Sequence, residues 1–176
     1  MIRKILSILL ILTLFSACSI KSSQYSYIKS LVYDKTDPSS PKKNWNLFWT
    51  KFDVDLYAIN INGHIVFADE NINIFFTDNH IYRVEGLGAN FGSIEIKKNN
   101  NNYTFFVNNK RVSSVECKNS ELDPNENNVS YIYQTCFEEK INLRYSNKIA
   151  KNSNGDIIKI EYKIIPGQPS LTLSIK

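Results

Sequence analysis

The sequence is poor in the residues that usually carry catalytic or metal chemistry. It has two histidines, His64 and His80, and three cysteines among 176 residues. It contains no glycine-rich phosphate-binding loop, no histidine pair at metal-ligand spacing and no serine in the strained turn of a hydrolase. Each histidine begins a predicted strand, which favours packed or solvent-facing strand residues over a catalytic base. We therefore expect a non-enzymatic protein with no catalytic residue, metal or cofactor.

The acidic residues do not form a convincing catalytic pair either. Asp53 and Asp55 share one face of a predicted strand, about 7 Å apart by strand geometry. Paired carboxylates can hydrolyse glycosides, but here they alternate with apolar residues such as Leu56, which favours a solvated polar face. Glu138 and Glu139 would point to opposite faces of a strand, so they make a poor acid–base pair.

An excess of charge of one sign is also lacking. The chain has 21 basic and 17 acidic residues, and the basic residues form no stripe along it. Recognition of nucleic acid needs a concentrated basic surface, so we exclude nucleic acid as a partner. The asparagine tract at 99–102 is interpreted as a solvated loop.

Long apolar runs are absent except at the N-terminus. Arg3 and Lys4 precede residues 5–15, which are apolar apart from two hydroxyl residues. This run is too short for a membrane-spanning helix, which needs about 20 apolar residues. The order of charge, apolar stretch and small residues is typical of a secretory signal. The sequence predicts a signal peptide at 1–17 that is removed before Cys18.

The cleavage segment also resembles a lipobox, the signal of bacterial lipoproteins. Residues 14–18 read Leu-Phe-Ser-Ala-Cys, in which only Phe15 is bulkier than the usual occupant. In such signals the cysteine thiol receives a diacylglycerol, and two or three acyl chains anchor a protein stably. We expect Cys18 to hold the chain in membrane lipid. Ser19 follows it in place of an inner-membrane retention aspartate, which favours the outer membrane, with the protein facing the periplasm.

The two remaining cysteines, Cys117 and Cys136, flank a stretch that is polar in its first part. Exported proteins meet an oxidising compartment, where such a pair usually closes. A disulfide between the two arms of a long hairpin is the simplest interpretation. Two free buried thiols or a metal pair are the alternatives, although structural zinc wants four Cys or His ligands and no histidine lies nearby.

One short helix is predicted after the anchor. Ser22 and Ser23 can cap it, and apolar residues recur at helical spacing up to Val32, before Asp37 and Pro38 end the pattern. A dense aromatic group follows, either a short amphipathic turn or an irregular strand, whose expected fate is core packing and whose alternative is a ligand-stacking face. Its members are Trp45, Phe48, Trp49 and Phe52.

From residue 53 onward the apolar period drops to two, which is typical of strands. Turn signals such as Asn62-Gly63 and Asn154-Gly155 recur between the runs. The predicted strands include 72–77, 81–84, 93–97, 103–107, 112–117, 129–137, 141–149, 157–164 and 171–175. This spacing predicts an all-β, mainly antiparallel meander forming a half-open barrel or a sandwich. With the short N-terminal helix, it makes one lipid-anchored domain over 18–176.

Residues 78–87 read Asp-Asn-His-Ile-Tyr-Arg-Val-Glu-Gly-Leu and resemble a hairpin segment of the YjbF/GfcB lipoproteins, Asn-Gly-Arg-Ile-Val-Arg-Thr-x-Gly-Leu. The positions that match or nearly match are Ile81, Arg83, Gly86 and Leu87. His80 stands where that family usually has Arg, and Val84 where it has Thr. The lipobox, the segment at 27–33 and the turns at 154–157 and 166–169 fit the same layout.

The resemblance implies a non-enzymatic β half-barrel that assists exopolysaccharide and group 4 capsule export at the outer membrane. Its partners would be the polysaccharide itself or an export-channel protein. Carriage of lipid or lipoprotein, and docking of another envelope protein, are the alternatives. A groove of aromatic rings and amides would favour glycan, a groove of Ile, Leu and Phe would favour acyl chains, and a flat apolar patch would favour a protein.

Overall fold

The computed structural model describes residues 44–61, 63–122 and 128–176. This part of the chain contains twelve strands and two single turns of 3-10 helix, at Ala89–Phe91 and Glu139–Ile141. The strands are β1 Trp45–Trp49, β2 Phe52–Ile61, β3 His64–Ala68, β4 Asn73–Thr77, β5 His80–Glu85, β6 Ser93–Asn99, β7 Asn102–Val107, β8 Lys110–Leu122, β9 Ser130–Glu138, β10 Leu143–Lys151, β11 Ile157–Tyr162 and β12 Leu171–Ile175.

The strands form a closed antiparallel barrel. Each strand pairs with the strands before and after it in the chain, and β1 also pairs with β12. Leu47 of β1 lies opposite both Leu173 of β12 and Val54 of β2. Closure gives each of the twelve described strands two hydrogen-bonded neighbours, so none of them has a free edge.

Successive side chains of a strand point to opposite faces of the sheet, so every second residue points into the barrel. On β1, Trp45, Leu47 and Trp49 are buried, and Phe48 between them is 54% exposed. The inward apolar side chains of the other strands pack with these into one core, joined by Leu87 and Ile164 from the connecting loops. Trp49 Nε1 donates a hydrogen bond of 3.0 Å to the carbonyl of Pro169, which ties the loop after β11 to the end of β1. The barrel interior is therefore a packed core.

Asparagine and aspartate make several of the tight hairpin turns. Asp78 and Asn79 between β4 and β5 have φ of 44° and 61°, and Asn108 and Asn109 between β7 and β8 have φ of 49° and 65°. Two consecutive left-handed residues are typical of a two-residue hairpin turn. The asparagine tract belongs partly to this class, because it spans the end of β6, a turn and the start of β7.

The all-β antiparallel prediction is confirmed, but the half-open barrel or sandwich is wrong. Closure depends on β1, which the sequence left between a turn and an irregular strand. Outward Phe48 is as apolar as its inward neighbours Leu47 and Trp49, so the period of two is hidden there. Among the described strands, β1 alone pairs with both β12 and β2.

Several N-terminal predictions lie outside the described residues. These are the signal peptide at 1–17, the lipidated Cys18 and the short helix predicted from Ser22 to Val32. Within residues 44–61, 63–122 and 128–176 there is no α-helix. The same part of the chain holds no helix long and apolar enough to cross a membrane.

Candidate functional site

A row of aromatic side chains lies on the outer surface of β9. Tyr131, Tyr133, Thr135 and Phe137 alternate with buried residues that point into the barrel. Phe137 is 38% exposed, and Tyr131 and Tyr133 are half-buried. We call this row, together with the outward residues Arg144, Ser146 and Lys148 of the paired strand β10, the β9 face.

Two cations of β10 lie against these rings. Antiparallel pairing sets Lys148 opposite Tyr133 and Arg144 opposite Phe137. The Lys148 Nζ is 4.1 Å from the ring centroid of Tyr131 and 5.7 Å from that of Tyr133. The guanidinium carbon of Arg144 is 5.9 Å from the Phe137 centroid. A cation within about 6 Å of a ring face is attracted by the ring quadrupole. Each cation is therefore held against the ring or rings that it contacts, and together they form one unit.

Hydroxyl groups separate the two units. Thr135 lies opposite Ser146, and their hydroxyl oxygens are 3.2 Å apart. Arg144 and Lys148 are four residues apart on β10, which corresponds to about 13 Å along the strand. The β9 face is therefore an elongated track with a cation at each end and hydroxyls between them. Two tyrosine rings lie at the Lys148 end and one phenylalanine ring lies at the Arg144 end.

Two surface grooves open onto the β9 face. The larger, of about 340 Å³, is lined by Glu116, Lys118, Thr135, Cys136, Phe137 and Arg144. The smaller, of about 180 Å³, is lined by Val129, Tyr131, Lys148, Ala150, Ile158, Lys159 and Glu161. One groove lies at each end of the track, and both combine aromatic, charged and hydroxyl or aliphatic groups.

A hydrogen-bonded network lies behind the β9 face, on the inner side of the same strand. Gln134 Nε2 donates to Tyr103 Oη at 2.8 Å and to Asn119 Oδ1 at 3.2 Å. Asn147 Nδ2 and the Tyr162 hydroxyl donate to Gln134 Oε1 at 2.8 and 3.1 Å. Burial raises the pKa of Tyr162 well above its usual value, so the phenol keeps its proton as a donor. This network fixes β9 relative to β7, β8, β10 and β11.

Three other inward polar groups lie toward one end of the barrel. Ser113 Oγ, Glu138 Oε2 and Tyr145 Oη are buried, and within the described residues they have no hydrogen-bond partner. Burial, and then the charge of Glu138, raise the pKa of Tyr145, which keeps that phenol protonated. These atoms are enclosed, so they offer no open surface to a large ligand.

The carboxylates considered from the sequence lie apart from the track. Asp53 accepts a hydrogen bond of 2.8 Å from Asn46, and Asp55 pairs with Lys176 at 2.5 Å, both on the outer surface. Glu138 ends β9 and is buried, whereas Glu139 lies outside the strand, in a 3-10 turn, and is exposed. Within the described residues, no three His, Cys, Asp or Glu side chains are grouped so as to hold a metal ion.

The two histidines and the aromatic group also have defined places. His64 is exposed and His80 is buried. In the aromatic group, Trp45 and Trp49 are core residues, as expected, whereas Phe48 lies on the outer surface. A row of outward aromatic residues is found instead on β9.

Cys117 and Cys136 are joined by a disulfide, as the simplest interpretation of the sequence expects. They are a directly opposed pair of β8 and β9, with Cα atoms 4.0 Å apart. The bond points into the barrel and fixes the register of the strand that carries the track.

Sequence reasoning missed the β9 face. Alternation at 129–137 and 141–149 predicted both strands, so the outward aromatic residues of one strand and the outward cations of the other were each predictable from the sequence. The pairing register, which sets Phe137 of β9 opposite Arg144 of β10, was not predictable. The 3-10 turn at Glu139–Ile141 sets this register, and it lacks the two-residue signal of a tight hairpin.

Comparison with known proteins gives a fold relationship. The crystal structure of the hypothetical lipoprotein YmcC from Escherichia coli K12 is similar with a TM-score of 0.55 and 9% sequence identity. The similarity covers 87% of this chain and 96% of that one. No family model matches the sequence, and no curated protein sequence matches it. The chain therefore shares the fold of a lipoprotein.

Proposed function

We propose that this chain is a lipid-anchored, non-enzymatic accessory protein of envelope polysaccharide export, and that its β9 face binds the polysaccharide. The observation that carries the proposal is the outer track of Tyr131, Tyr133 and Phe137 with its flanking hydroxyls and cations. On this proposal Cys18 holds the protein at the outer membrane, facing the periplasm.

The chemistry of the track suits sugars. The flat apolar face of a ring can cover the C–H face of a sugar, while hydroxyl and charged groups bond to its polar edge. Thr135 and Ser146 provide hydroxyls between the rings, and a groove lies at each end. An extended polymer could therefore contact the track at several places.

Two further observations support the envelope and export parts of the proposal. The fold is shared with a lipoprotein, and the segment at 14–18 has the layout of a lipobox. Residues 78–87, which resemble the export-associated lipoproteins, comprise a tight turn, β5 and Gly86. That arrangement is the hairpin which the resemblance implies.

The same structure favours glycan over the alternatives. Acyl-chain carriage calls for an apolar groove, whereas both described grooves carry charged side chains and their apolar contacts are partly aromatic. A protein-docking patch would be flat and apolar, but the exposed large apolar side chains of the described residues lie on five different elements. They are Phe48, Val112, Phe137, Ile141 and Ile175.

The test is deletion of the gene followed by complementation, scoring surface and secreted polysaccharide. Wild type should restore polysaccharide, and neither Cys18→Ala nor the double variant Tyr133→Ala/Phe137→Ala should do so. Phe106→Ala is the matched control, because Phe106 lies under Lys97 at 5.0 Å on another part of the outer surface. This control should restore polysaccharide fully.

Unchanged polysaccharide after deletion would overturn the export role. Full restoration by the Tyr133→Ala/Phe137→Ala protein would overturn the role of the β9 face. Lipidation of each variant is checked by mass spectrometry, so that a loss caused by failed anchoring is recognised.

A further inference from the structure

We infer that the β9 face selects an acidic polysaccharide, one with a carboxylate or similar anion in its repeating unit, and holds it extended along β9. The inference rests on the proposed function and names its substrate class. The inference depends on which charged side chains around the track form salt bridges within the protein and which do not.

Two cations on the β5 and β6 side of the barrel have carboxylate partners. Arg83 pairs with Glu85 at 2.6 Å, and Lys97 pairs with Glu95 at 3.6 Å. Lys97 also lies over an aromatic ring, that of Phe106. This region thus has the same ring-and-cation unit as β9, but with its charge balanced from within the protein.

The cations around β9 are not balanced in this way. Among the described residues, Lys118, Arg144 and Lys148 form no salt bridge. Glu161 lies opposite Lys148 in the sheet but is paired with Lys159 at 2.5 Å, and Glu116 lies opposite Phe137. The two groove linings together contain four cations and two carboxylates. The track therefore carries an excess of positive charge that complements an anionic ligand.

The position of these cations favours a polymer over a single sugar. Lys118 lies opposite Thr135 on the β8 side, and Arg144 and Lys148 lie on the β10 side, about 13 Å apart by strand rise. One anionic group cannot reach both ends of the track. Exposed charge contacts are individually weak, so useful affinity requires several of them on one linked chain.

The test compares two polymers that differ only in charge. The lipidated full-length mature protein in detergent is titrated with a polyuronate and with the same polyuronate after reduction of its carboxylates to alcohols. Two or three exposed charge contacts correspond to about a tenfold higher affinity for the acidic polymer. The preference should shrink as salt is raised, because exposed charges are screened.

Matched variants separate the track from net charge. Arg144→Gln/Lys148→Gln should remove the preference but keep binding of the reduced polymer, which also shows that the variant is folded. Lys97→Gln/Lys98→Gln removes two charges elsewhere and should keep the preference. Equal wild-type affinity for both polymers, or an equal loss in both variants, would overturn the acidic selectivity and leave the proposed function standing. Failure to bind either polymer would overturn both.

Discussion

At Gly86 the backbone leaves no room for a side chain. Its φ is +86°, and an added Cβ would stand 1.8 Å from the carbonyl oxygen of Asn71. Gly155 has nearly the same φ, +83°, with no atom within 4 Å of an added Cβ. A side chain at Gly155 would meet only the strain of a left-handed conformation, whereas a side chain at Gly86 would also meet a steric clash. Comparing the two positions therefore distinguishes these two effects. It also gives a physical reason for the glycine in the segment at 78–87.

Gly86→Ala should therefore destabilise the barrel more than Gly155→Ala. We expect a loss of about 3 kcal/mol in the free energy of unfolding for Gly86→Ala, and about 1 kcal/mol for Gly155→Ala. Urea unfolding of both variants and the wild type measures the difference. Equal losses would show that the contact between Gly86 and Asn71 does not constrain the loop.

His80 links stability to pH. Burial lowers the pKa of His80 below its usual value, and Lys98 acts in the same direction, with Asp78 and Thr77 opposing. Between the folded pKa and the unfolded value of about 6.5, the unfolded chain binds more protons, so stability rises with pH. The contribution of neutral His80 is present above that window and is lost as the pH falls through it.

The free energy of unfolding should therefore fall more steeply in the wild type than in His80→Gln. We would measure urea unfolding of both proteins at about pH 7.5 and about pH 5.5, on either side of the unfolded pKa of histidine. Because glutamine takes up no proton, the variant lacks the part of the pH dependence of the free energy of unfolding that comes from His80. An identical pH dependence in the two proteins would contradict the lowered pKa of His80.

Among the elements, β8 and β9 are joined most firmly. The disulfide connects residues 19 apart in the sequence, and closing such a loop restricts the unfolded chain. Cys117→Ala/Cys136→Ala should lower the free energy of unfolding by about 3 kcal/mol. Dithiothreitol should lower wild-type stability similarly and leave the variant unchanged. A variant as stable as oxidised wild type would contradict this contribution.

The strands themselves were largely predictable from the sequence. Ile94 and Ile96 alternate with polar residues on β6, and similar alternation marks β10 and β12. Turn residues with positive φ, such as Asn79 and Asn109, separate them. β1 was not predictable in the same way, since apolar Phe48 faces outward there. Local pattern thus reveals a strand most clearly where its two faces differ in polarity.

For the whole molecule, closure and function depend on long-range pairing that a local pattern does not encode. β1 and β12 lie at opposite ends of the described chain, and only their pairing converts a meander into a barrel. The β9 face likewise depends on the register between β9 and β10. The disulfide is the exception, because the cysteine pair and the expected compartment suggested a link between β8 and β9 before any strand pairing was known.

The central claim is that the β9 face is where polysaccharide binds, and a direct titration tests it. The lipidated full-length mature protein would be titrated with polysaccharide purified from the envelope of the bacterium that makes it. Tyr133→Ala/Phe137→Ala should lower the affinity by about tenfold or more, since two ring contacts are lost, and Phe106→Ala should leave it unchanged. Unchanged affinity in the double variant, or an equal loss in Phe106→Ala, would contradict the account.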